Sequence, residues 1–103
     1  MKLSKELKKK MERELRQYDD NKKKLKQLKQ DNTRKLLYLE ERIHYVDNVY
    51  NRLRPDEKEV YNHIFNECCD WRYCQTIYNI DKNTYYSVYN KSIYYLAEEW
   101  GEI

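Results

Sequence analysis

Glycine and proline are nearly missing from this 103-residue chain, which has only Gly101 and Pro55. Tight hairpins and phosphate-cradling loops lean on glycine, so a β-sandwich, a barrel or a Gly-looped nucleotide fold is not expected. Aliphatic core formers are scarce too. Leu, Ile, Val and Phe total 21 residues, about a fifth of the chain and near the level at which disorder sets in. No apolar run reaches the length of a membrane span, and Met1 to Lys10 has no apolar stretch of the signal-peptide kind. A cytoplasmic protein with no membrane partner is expected. The three cysteines, Cys68, Cys69 and Cys74, are odd in number and two are adjacent. A disulfide framework does not fit that pattern, and reduced thiols do.

Tyrosine makes up the deficit. Twelve Tyr and two Trp restore apolar area, because an aromatic ring buries more surface than an aliphatic side chain. A modest all-α core rich in tyrosine is expected.

The formal net charge of +3 conceals an asymmetry. Residues 1–35 carry 14 Lys and Arg against 6 Asp and Glu; residues 36–70 carry 4 against 8, and residues 71–103 carry 3 against 4. Basic character therefore belongs to the N-terminal third, while the aromatic C-terminal half is mildly acidic. A basic segment fits a polyanion such as nucleic acid, and equally a solvated helix written with lysines.

Periodicity places the helices. Leu3, Leu7, Met11, Leu15 and Tyr18 form one narrow apolar stripe. Asp19, Asp20 and Asn21 interrupt it, with Asp20 or Asn21 as the expected restart, and Asp31-Asn32-Thr33 offers a second break. Leu36, Leu39, Ile43, Val46, Tyr50 and Leu53 step by three and four, a heptad seam that suits packing within the chain or between two copies. Pro55 ends that helix and suits the first turn of the next, whose apolar face is Val60, Tyr61, Ile64, Phe65 and Cys68. Two units follow: a basic arm and heptad helix over 1–53, for oligomerisation or partner contact, and a C-terminal unit over 54–103.

Asp70 is placed to cap a short helix from Trp71 to Tyr78, Asn79-Ile80 to turn, and Asp81 to cap a long helix closed by Gly101. A short helix, a tight turn and a longer helix spell a helix-turn-helix, with Asn79 at the position where a left-handed residue is needed. In the long helix, Tyr85, Val88, Tyr89, Ser92, Ile93 and Leu96 fall on one face. Asn83, Tyr86, Ser87 and Asn90 fall on the other, beside Lys82 and Lys91. An uncharged polar face suits base edges in the major groove, where asparagine can pair bidentately with adenine. A small helical bundle whose last helix has a polar face fits the spacing as well. Only Arg72, Lys82 and Lys91 are cationic in this region, so further phosphate contacts fall to the Lys-rich segment or to a partner.

Leu53 to Leu96 resembles the C-terminal helix-turn-helix of sigma factors, opening with Leu-x-Pro-x-Glu-x-Glu-Val at Leu53 to Val60. The ending Leu96-Ala97-Glu98-Glu99-Trp100-Gly101-Glu102, with Glu14-Leu15-Arg16-Gln17-Tyr18 before a Lys-rich helix, is similar to RinA/ArpU-type phage transcriptional activators. That resemblance implies an activator of late or packaging-related genes in a phage or prophage. It implies a recognition helix starting at Asp81, with Lys82, Asn83, Thr84, Tyr86, Ser87, Asn90 and Lys91 facing double-stranded DNA. Host RNA polymerase and a second copy of the chain are the further partners it admits. A longer middle segment of such activators has no counterpart near Asp31 to Thr33.

No site for catalysis or a cofactor is expected. His63, Cys68, Cys69 and Cys74 lack the Cys-x-x-Cys knuckle of structural zinc, and adjacent helical cysteines point about 100° apart. Glu40 and His44 make at most an exposed helical pair. There is no phosphate loop, nucleophile elbow or carboxylate cluster. The alternatives to a DNA-binding regulator are a helical protein–protein adaptor that has lost DNA binding and a small-terminase-like DNA-packaging protein.

Overall fold

Ser4 opens the first helix: its hydroxyl accepts the Leu7 amide at 3.1 Å, and α1 runs Lys5–Arg16. In this computed structural model, which describes residues 3–28 and 33–103, α2 follows at Tyr18–Gln27 and α3 at Thr33–Arg52. The chain continues as α4 (Pro55–Tyr61), a wider π-helical turn (Asn62–Asn66), α5 (Trp71–Ile77) and α6 (Lys82–Glu99). The described residues contain no strand, and the fold is all-α.

The restart after α1 falls at Tyr18, ahead of Asp20 and Asn21. Asp19 and Asp20 occupy the first turn of α2, where they face the positive end of the helix, and the Asn21 amide donates to Gln17 O at 2.8 Å. Asn21 is a buried α2 residue, so it cannot serve as the exposed cap that its residue type suggests. The break expected at Asp31-Asn32-Thr33 involves residues outside those described.

One core joins both halves of the chain. Met11 and Leu15 of α1 are fully buried against Val46, Val49 and Leu53 of α3 and its end, and Val60, Tyr61, Ile64 and Phe65 of the α4 region. Cys74 of α5 and Tyr85, Val88, Ile93, Leu96 and Ala97 of α6 complete it. The N-terminal stripe therefore packs against the C-terminal unit and does not stand off as an arm. The heptad seam of α3 is buried within the chain, Val46 and Leu53 in this core and Leu39 and Ile43 outside it. Beside the main core, α2 pairs with α3 as a helical hairpin. Arg42 of α3 ties it back by an ion pair to buried Glu14 of α1.

Helical periodicity extends the α4 face through Cys68, but Cys68 is exposed. The π turn, closed by the Glu67 amide on Asn62 O at 2.9 Å, changes the rotation per residue, and Cys68 then takes a left-handed backbone with φ 56°. The chain leaves the helix there, so the periodicity that placed Cys68 inward no longer applies.

Candidate nucleic-acid interface

The two helices that carry the candidate residues are fixed by aspartates. Asp70 accepts the Tyr73 amide at 2.8 Å to start α5, and Asp81 accepts the Thr84 amide at 2.6 Å to start α6. Between them Asn79 adopts φ 57°, a conformation asparagine tolerates better than most residues, and the Ile80 amide returns to Cys74 O at 3.1 Å. Cys74 is fully buried, and burial pushes its thiol up to about 11.

The inner face of α6 is closed by packing. Ser92 is fully buried and its hydroxyl donates to Val88 O at 2.8 Å, which satisfies that group within the helix itself. The Tyr85 hydroxyl donates to Cys69 O at 2.9 Å, tying α6 to the loop before α5. At its far end Gly101, with φ 70°, lets the Gly101 and Glu102 amides return to Glu98 and Ala97 carbonyls, the pairing of a Schellman cap.

The outer face is left to solvent. Asn83, Thr84, Tyr86, Ser87 and Asn90 are all exposed along α6, with no acidic side chain among them. Their environments differ. Asn83, Ser87 and Asn90 point away from the core, whereas Tyr86 stands edge-on between Tyr85 and Tyr89, with ring centroids 5.1 and 5.9 Å away. Thr84 is committed to capping: its amide and its hydroxyl both serve Asp81, and these hydrogen bonds hold the Asp81 carboxyl below its ordinary value.

Three cations are expected beside this face, and the structure brings two of them together. Lys82 Nζ lies 4.6 Å and the Arg72 guanidinium 5.3 Å from the centroid of the Trp71 ring, so one indole holds the cation of α5 and the cation of α6. Lys91 is elsewhere engaged. Its ammonium donates to Glu57 Oε2 at 2.7 Å, while Glu57 Oε1 accepts the Arg54 amide at 2.9 Å at the start of α4. Glu57 is buried; burial opposes its ionisation, but the bonds from Lys91 and the Arg54 amide prevail and hold the carboxyl below its ordinary value. The helical wheel puts Lys91 on the rim of the polar face, but it cannot show that a carboxylate 34 residues earlier meets it there.

Sequence reasoning also missed Trp71 as the platform for Arg72 and Lys82. Its place next to Arg72 is visible in the sequence; its approach to Lys82 depends on the turn. No group of three or more His, Cys, Asp or Glu side chains among the described residues is placed to hold a metal ion. No helix among them is long and apolar enough to cross a membrane. Comparison with family models, with curated proteins and with solved structures finds no match.

Proposed function

We propose that this chain binds double-stranded DNA, with α5, the Asn79 turn and α6 acting as a helix-turn-helix and α6 lying in the major groove. The observation that carries the reading is the outer face of α6: exposed, uncharged and amide-bearing, on a helix whose other face is fully committed to the core. Asn83 and Asn90 are two turns apart, roughly 10 Å at 1.5 Å per residue, a span of about three base pairs. Each can offer a donor and an acceptor to the edge of adenine. Arg72 and Lys82, held on Trp71 beside the start of α6, supply phosphate contacts at the end where a recognition helix enters the groove.

The resemblance to sigma-like and RinA/ArpU-type proteins extends this to a transcriptional regulator of phage or prophage origin, acting on promoter DNA alongside host RNA polymerase. That extension rests on the quoted sequence motifs alone. Selection from a pool of random-sequence duplexes tests the DNA reading. Enrichment of a short common motif is expected, and a pool that stays random through repeated rounds at low salt would leave the adaptor reading in its place.

A further inference from the structure

The outer face of α6 has too little positive charge for DNA by itself, since Lys91 is bound to Glu57. The helix packed beside it has that charge. Arg16 lies by Tyr85, the Tyr89 hydroxyl donates to Glu12 at 3.0 Å, and Lys10 stands 5.0 Å over the Trp100 ring. Falling numbers on α1 thus meet rising numbers on α6, so the two helices lie side by side and antiparallel. Met11 and Leu15 of α1 and Tyr85, Val88 and Leu96 of α6 point into the same core. The sides turned away from that core therefore look out from one layer.

On that outer side α1 presents Lys9 and Arg13, both exposed and neither in an ion pair with a described residue. With Glu12, Arg16 and Gln17 they line an open groove along the helix. Arg16 is already used: it bonds Glu12 at 3.0 Å and the Ile64 carbonyl at 2.9 Å, which leaves Lys9 and Arg13 as the cations of this groove outside such bonds.

Packed helices stand roughly 8–10 Å apart. The major groove is about 12 Å wide, so a helix at its centre lies about 6 Å from each sugar–phosphate wall, and a helix packed at its side lies over that wall. We infer that α1 is the phosphate clamp of the interface: with α6 in the groove, Lys9 and Arg13 contact the backbone of one strand. This rests on the DNA reading above. It assigns the contact to α1 specifically, and not to the basic N-terminal third as a whole. Lys23 and Lys24 are exposed on α2, a helix that packs mainly against α3 and not alongside α6.

Two double variants of equal net charge separate the possibilities: Lys9→Gln with Arg13→Gln, and Lys23→Gln with Lys24→Gln. All four side chains are exposed and outside the ion pairs of the described residues, so folding should survive; circular dichroism checks it. Binding to the selected duplex is titrated by fluorescence anisotropy across a salt series. Each lost phosphate contact lowers the slope of log affinity against log salt by about 0.9. The α1 variant should lose about 1.8 of slope, so that between roughly 50 and 200 mM salt its affinity falls about 12-fold less than that of the wild type. Its preference for the selected sequence should remain, and the hairpin variant should track the wild type. Equal slope losses in both variants, or an unchanged slope in the α1 variant, would overturn the clamp while leaving the DNA reading intact. A wild-type protein that binds no duplex removes both.

Discussion

Replacing Leu15 by alanine probes whether α1 is part of the folded unit. Leu15 is fully buried near the end of α1 in the core that also holds α3, the α4 region and α6. Truncation removes three methylene-sized groups from a site whose neighbours come from several helices, so collapse around the hole is incomplete. Buried Leu→Ala changes cost about 2–5 kcal/mol, and about 3 kcal/mol suits a site of this kind. For a domain near 100 residues that lowers the melting temperature by roughly 12–24 °C. Urea unfolding followed by far-ultraviolet circular dichroism measures it, with the midpoint falling and the slope unchanged. Leu7→Ala, two turns nearer the N-terminus at a half-buried position, should cost clearly less. A loss under about 1 kcal/mol for Leu15→Ala, with α3 to α6 still melting cooperatively, would refute the single core and restore a detachable arm. Amide exchange offers an independent check: protection around Met11 to Leu15 should match that of Val46 to Leu53.

Other substitutions test the buried polar groups. Lys91→Ala strips the cation from a buried carboxylate and should destabilise by about 1–3 kcal/mol in thermal melts, while the salt slope of DNA binding stays as it is. Because the Glu57 carboxyl is held below the ordinary 4.5, its stabilisation is complete above that value and fades as pH falls through the lowered one; Glu57→Gln should flatten the acid limb of a stability–pH curve. Cys74→Ser places a hydroxyl in a fully buried site and should cost about 1–3 kcal/mol by chemical denaturation, whereas Cys69→Ser, at a half-buried site, should change little.

Much of the fold is legible because single residues punctuate it. Asp70, Asp81, Pro55 and Gly101 each sit where their chemistry is needed, so the helix ends of the C-terminal half follow from residue type and spacing. The core face of α6 follows from a period of 3.6, and tyrosine does serve as core material: Tyr61 and Tyr85 are buried. What escapes is long-range or depends on a departure from regular geometry. The π turn shifts Cys68 outward, because periodicity assumes a constant rotation per residue. Asn21 is buried against expectation, a tertiary effect that local cap propensity does not register. The Lys91–Glu57 pair and the Trp71 platform likewise join residues through tertiary packing. For the candidate interface, sequence alone selects an outer face on α6, and the structure divides it into free amides, a capping threonine, a packed tyrosine and a cation already spent.

Whether the free amides of α6 read base edges is decided by paired titrations of Asn83→Ala and Asn90→Ala. Each variant is measured by anisotropy on the selected duplex and on a scrambled duplex at one salt concentration, with retained helicity as the control. The expected result is a loss of about 1–3 kcal/mol on the selected sequence for each variant, with scrambled-sequence affinity unchanged. Equal binding of wild type and both variants to the selected duplex would contradict it, and α6 would then be a helix whose polar face serves something other than reading DNA.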